Sequence, residues 1–263
     1  MNSDSDESAR ANKQYSLATI AALWLIVVIP TAVLSLGLAP WLIARIPYPP
    51  GLIYWGTIIV SMAWQAVVSL AVLVMERQDW TRNALRERLW LNAPKDPRTD
   101  KSRWQALWYV VPLGILAAFG LDEVSAPIST LFAQVLPGWA TPEYGDITRL
   151  ATPEFKGAWS MLCIALLSSV FNYALGEAFF FHGILLPRME GVFGRWAWIA
   201  NGVLFGCYHV HKAALMPSII LSCFVYSFAA QRYRSNWPAI LIHGFEGIIL
   251  IAMVLFVILG GVG

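Results

Sequence analysis

Charge is scarce in this chain. Only 13% of its 263 residues are Asp, Glu, Lys or Arg, about half the ~25% of an average soluble domain, while 58% are hydrophobic. That balance excludes an ordinary soluble fold. A formal net charge of +2 also gives no electrostatic footprint for nucleic acid, so no nucleic-acid partner is expected. Cysteine is nearly absent. Cys163, Cys207 and Cys223 are odd in number, lack metal-type spacing and lie inside apolar runs, which makes them core residues. There is no HExxH, no phosphate-binding glycine loop, no internal repeat and no low-complexity tract. The start, Met1–Ser16, carries Asp4, Asp6 and Glu7 instead of a basic segment and short apolar core. A cleaved signal peptide is therefore not expected, and the first helix remains as an anchor.

What the chain has in abundance is apolar runs close to the ~20 residues that cross a bilayer. They fall at about 17–44, 51–75, 104–121, 157–187, 196–212, 213–231 and 237–260. The runs are continuous, without the ~10-residue alternation of barrel strands. The expected fold is all-α, a polytopic transmembrane bundle of about seven helices, seven to eight in all, the first run being kinked at Pro30 and Pro40 or made of one helix plus an interfacial piece. The apolar stretch Ala126–Trp139 is interrupted by Pro127 and Pro137 and is expected at the interface. Residues 1–156 form N-terminal membrane helices with a basic loop at 76–103; residues 157–263 form the remaining helical core of one integral membrane domain.

Lys and Arg collect in short cytoplasmic loops. The 76–103 loop holds eight, from Arg77 to Arg103. Alternating spans put Arg10, Lys13, Arg188, Arg195, Arg232 and Arg234 on the same side and leave Arg45, Arg149, Lys156 and Lys212 opposite. The N-terminus and basic loop are thus expected in the cytoplasm of a cell whose inner membrane holds the protein, and the C-terminus outside. Trp80 and Trp90 in that loop mark a lipid surface.

All four histidines, His182, His209, His211 and His243, lie in the last third, with Glu177 and Glu246 among the same apolar segments. Ionisable groups at membrane depth cost a few kcal/mol each and mark a buried polar site. Gly191–Gly194 lies midway between residues 177 and 209, so two antiparallel helices leaving that turn carry Glu177 and His209 at equal depth. Phe205 is one turn before His209 on its face, and Glu246 is one turn after His243. His211 points about 200° away from His209 on a helix and is assigned to the interface. His182, about 140° from Glu177, lines the same cavity or its mouth. Zinc is a conceivable occupant, since His and Glu are common ligands, but no pair of histidines stands at i,i+4. Metal-free hydrolysis fits better, with a buried Glu as general base and imidazoles orienting water or binding an oxyanion. A helix-stapling polar cluster, a peptide- or lipid-binding protein and a proton-coupled carrier stay open on the residues alone.

Three motifs in this region resemble those of the CPBP family of intramembrane proteases, also called CAAX prenyl protease 2 or ABI proteins. The family carries EExxxR, FxxxH and HxxxN or HxxxD on three membrane helices. Here they read Glu177-Ala178-Phe179-Phe180-Phe181-His182, Phe205-Gly206-Cys207-Tyr208-His209 and His243-Gly244-Phe245-Glu246-Gly247. The resemblance, over residues 157–250, implies an intramembrane glutamic-type endopeptidase acting on a membrane-associated protein or peptide, without a cofactor. Glu177 and His209 would activate water and His243 would help bind the oxyanion. Ala178, His182 and Gly247 depart from the pattern; His182 and Glu246 are the candidates to support the site in place of the missing groups. The same resemblance also accommodates a pseudoprotease. Substrate is expected from the cytoplasmic side.

Overall fold

The computed structural model describes residues 14–136, 138 and 141–261. The acidic N-terminal stretch, Arg10 and Lys13, and the Pro137 and Trp139 of the interfacial segment lie outside them. The fold is an all-α polytopic bundle, with six helical segments among the described residues long and apolar enough to cross a membrane. Among the described residues the extended pairing is limited to one isolated bridge, Lys95 with Ser102.

Helix α1 (Leu17–Ile43) starts where the Ser16 hydroxyl accepts the Thr19 amide, filling one of the unpaired N–H groups of a helix start. It runs through Pro30 as one span, with a π turn at Val33–Leu38. Thr31 and Ser35 donate to the Val27 and Thr31 carbonyls in this stretch, the usual way hydroxyls steady a membrane helix around proline. Helix α2 spans Pro50–Met75, and short α3, Arg82–Arg88, lies in the basic loop. Helix α4 is Leu107–Val135. It overturns the expected stop near residue 121, because it continues straight through Pro127. The Ser125 hydroxyl bonds the Leu121 and Asp122 carbonyls in the turn before that proline.

The expected fourth and fifth spans form one 50-residue stretch, Trp159–Tyr208, that doubles back. It comprises α5 (Trp159–Val170), π segments Phe171–Leu175 and Ala178–Leu185, α6 (Leu186–Phe193) and α7 (Ala197–Tyr208). The reversal is at Gly194, whose φ of +53° suits glycine. The 12 residues of α7 reach only about 18 Å, short of a full crossing, so the expected independent span at 196–212 is corrected to a half-length helix. Helices α8 (Met216–Tyr233) and α9 (Trp237–Ile258) complete the chain.

Helices α7 and α8 form a tight hairpin. A Cβ on Gly202 would lie 2.5 Å from Phe224 Cδ1, and one on Gly206 2.7 Å from the Ile220 Cα, the close backbone approach that small residues four apart permit in membranes. Large apolar side chains on α1 and α4, among them Ile29, Leu36, Leu116 and Val124, point outward, as lipid-facing surfaces do. Cys163 is also exposed and Cys207 partly so, leaving only Cys223 as the expected core cysteine.

Two apolar cores result. The larger, towards the basic loop, packs Phe180, Phe181, Ile184, Leu185, Leu186 and Met189 against α1, α2, α7, α8 and α9. The smaller joins Leu52, Trp55, Ile59 and Met62 of α2 to Leu150, Phe155, Met161, Val254 and Ile258 at the other end. The polar residues singled out above sit between the two.

Candidate active site

Glu177 owes its position to an interrupted helix. Gly176, at φ −95° and ψ −90°, separates the two π segments, and such π turns recur at functional sites. A Cβ on Gly176 would lie 2.3 Å from the Phe171 carbonyl oxygen and 2.7 Å from that of Met62. Only glycine lets this chain rest against α2 here. Met62 is halfway along α2, so the Glu177 carboxylate is held near the middle of the bundle.

The reversal at Gly194 brings α7 back beside that segment, and His209 Nε2 lies 4.0 Å from Glu177 Oε2. Its Nδ1 is 3.0 Å from the Phe205 carbonyl oxygen. A carbonyl can only accept, so Nδ1 carries the hydrogen and the Nε2 of the neutral ring presents a lone pair towards Glu177. The four-residue Phe205–His209 spacing thereby fixes a tautomer. His243 enters from α9, its Nε2 3.8 Å from the same Glu177 oxygen and 4.0 Å from Glu246 Oε2. These separations exceed a direct hydrogen bond and leave the scale of one bridging oxygen between the three groups. The side chains of Glu177, His243 and His209 are 4%, 6% and 13% exposed.

Aromatic rings hold His243 on three sides. Tyr226 stacks on it at 4.9 Å, while Tyr173 and Phe205 meet it edge-on at 4.8 and 5.6 Å. The Tyr226 hydroxyl donates to Glu246. Tyr173 also accounts for Gly247: a Cβ there would fall 2.5 Å from the tyrosine ring. The space that a polar side chain at position 247 would use is filled by Tyr173. Neither tyrosine had a signal in the sequence beyond its place in an apolar run.

The remaining candidates separate. His182 is buried behind Phe205, 5.5 Å ring to ring, and faces Ser227, which in turn donates to Asn201. It belongs to a polar network at the back of the site and makes no contact with Glu177 within ion-pair distance among the described residues. Ala178 is buried, its carbonyl held by the Asn236 amide. His211 corrects the interfacial assignment: it is buried, and its ring is 5.5 Å from that of His209. Helix α7 ends at Tyr208 and a 3-10 turn, Val210–Leu215, follows, so the helical angle between residues 209 and 211 does not apply.

Two clefts reach this centre. One, of about 680 Å³, runs from the 141–149 loop and the start of α2, past Tyr54 and Tyr173, to Glu177 and His209. The other, about 600 Å³, opens between α4 and α8 and ends on His209, His243 and Glu246. Lys212 stands at the rim of both. Among the described residues no three His, Cys, Asp or Glu side chains cluster as a metal site would require.

Fold and site thus define a polytopic helical membrane protein with a buried glutamate–histidine centre. Residues 158–249, about a third of the chain, match the family described as type II CAAX prenyl endopeptidase Rce1-like, so this region is similar to that family. No curated protein and no solved structure matches the chain.

Proposed function

We propose that the protein is an intramembrane endopeptidase of the glutamic type. The observation that carries the reading is the approach of two imidazole Nε2 atoms to one Glu177 oxygen, at 3.8 and 4.0 Å, on the wall of a cleft of about 680 Å³. Water held between Glu177 and His209 gives one proton to the Glu177 carboxylate as its oxygen adds to the scissile carbonyl. The His209 lone pair accepts the other hydrogen and aims the nucleophile. The developing oxyanion accepts a hydrogen bond from His243 Nε2–H, a donor already positioned by its rings. Glu177 then passes its proton to the amide nitrogen as the C–N bond breaks, giving a carboxylic acid and an amine. No metal or cofactor takes part.

Gly247 favours a second reading, a pseudoprotease that binds peptide or lipid, because the family's polar side chain is absent there. The test uses the purified full chain in detergent with a peptide library in heavy-oxygen water. Products whose new C-terminal carboxylates carry the heavy isotope support hydrolysis by water. Binding without any product favours the pseudoprotease.

A further inference from the structure

The cleft that holds Glu177 begins at the end of the bundle away from the basic loop. Gly51 and Tyr54 at the start of α2, Tyr144 and Asp146 in the 141–149 loop and Met253 near the end of α9 line it. From Met253 to His243 is ten residues of helix, about 15 Å at 1.5 Å per residue. The loop forming the mouth is a built cap. Tyr54 meets Tyr144 at 5.4 Å and donates to the His211 carbonyl, and Leu150 packs against Gly51. Asp146 is held below its ordinary carboxylate range first by the Thr148 hydroxyl and then by its amide, Arg149 and Lys212.

The other end is shut. Between Glu177 and the basic loop lie Phe180, Phe181, Ile184, Leu185 and Leu186, all fully buried. The Arg88 guanidinium bonds the Gly183 and Ile184 carbonyls beneath them. Asn236, Ser235 and Trp237 tie the start of α9 to the backbone at Trp90, Asn92 and Leu91. A substrate approaching from this side would have to unpack the larger core.

We infer that the site is loaded from the non-cytoplasmic face, by an extended segment of a membrane-associated protein that lies outside the membrane or in its outer leaflet. The opposite sidedness was expected from sequence, and the position of the cleft mouth reverses it. Lys and Arg gather at the closed end, which the preference of these residues assigns to the cytoplasm; the open end is then outside. The chain must be extended, since a scissile carbonyl inside a helix is bonded to its own N–H and shielded from water. The cleft between α4 and α8 shares His209, Lys212 and Glu246 with the first and gives a membrane-anchored segment a lateral way in at the same depth. This inference rests on the endopeptidase reading for its substrate, but sidedness is measurable without turnover.

The experiment places single cysteines in a full-length chain whose Cys163, Cys207 and Cys223 are replaced. Glu143→Cys lies at the cleft mouth and Arg98→Cys in the basic loop, both exposed. A membrane-impermeant maleimide should label Glu143→Cys in intact cells and Arg98→Cys only after permeabilisation. A phosphatase fused after Gly263, active only outside the cytoplasm, should be active. Labelling of Glu143→Cys only after permeabilisation, or an inactive fusion, overturns the inference. Absence of cleavage with the expected labelling would instead count against the endopeptidase reading alone.

Discussion

Gly247 offers a sharp test of how this site is built, because the residue that the CPBP motif calls for can be put back. In Gly247→Asn the new Cβ would fall 2.5 and 2.6 Å from two ring carbons of Tyr173, far inside van der Waals contact. Tyr173 cannot simply swing aside, since its ring is packed edge-on against His243 and is 9% exposed. Overpacking of this kind costs about 1–3 kcal/mol. At about 2–4 °C per kcal/mol for a chain near this size, the thermal midpoint in detergent should fall by roughly 2–12 °C. Tyr173→Ala alone should also destabilise, by about 3–5 kcal/mol on the scale of aromatic truncations, through the cavity it leaves. In the double variant Asn fills part of that cavity and loses its clash, so the two effects should fall short of their sum by about 0.5–3 kcal/mol. Differential scanning fluorimetry of the four proteins measures the cycle. Strict additivity, or a Gly247→Asn protein as stable as the parent, would refute the argument that Tyr173 occupies the missing residue's place.

Other expectations follow from single contacts. Gly176→Ala pushes a methyl group against two backbone oxygens that cannot rotate away; it should lower the thermal midpoint and abolish any cleavage, and a stable, active variant would contradict the account of the Glu177 segment. Burial raises the Glu76 carboxyl, but hydrogen bonds and charge from Arg88 outweigh it and leave the group below its ordinary value. A depressed carboxylate contributes stability above its unfolded pKa and loses it as pH falls through the folded one. Midpoints should therefore drop in acid below the ordinary carboxylate range of about 4.3, and less so in Glu76→Gln, as scans across pH would register. Treatment with a strong chelator should leave peptide turnover unchanged; loss that added zinc restores would return the metal mechanism to favour.

Much of this arrangement is readable from the chain, for identifiable reasons. Helical class and most of the spans follow from run length, because a bilayer imposes one dimension on every crossing, but the run at 196–212 counts as a seventh span where the chain makes only a half-length helix. The meeting of Glu177 and His209 follows from counting equal distances back to the glycines at 191 and 194, since antiparallel helices convert sequence spacing into depth. The counting fails where the backbone departs from an α-helix. The helical angle misplaces His211 because α7 stops at Tyr208, and a stop near residue 121 cuts α4 short because the helix carries on through Pro127, with the Ser125 hydroxyl bonding the Leu121 and Asp122 carbonyls in the turn before it. Tyr173 and Tyr226 carry no such signal, because choosing them requires knowing which ring lies over Gly247 and which over His243, a matter of tertiary packing alone. The closed end of the cleft, likewise, depends on how Arg88 folds back on Gly183 and Ile184, a contact across 95 residues.

The central claim is that Glu177 is the base that activates water. Its most direct test compares the wild type with Glu177→Gln, an exchange that keeps the side chain's shape, in one peptide-cleavage assay with product masses read. Turnover should fall by at least about 10²-fold, the lower end of a general base's contribution, with the thermal midpoint nearly unmoved. Undiminished cleavage by Glu177→Gln would contradict it.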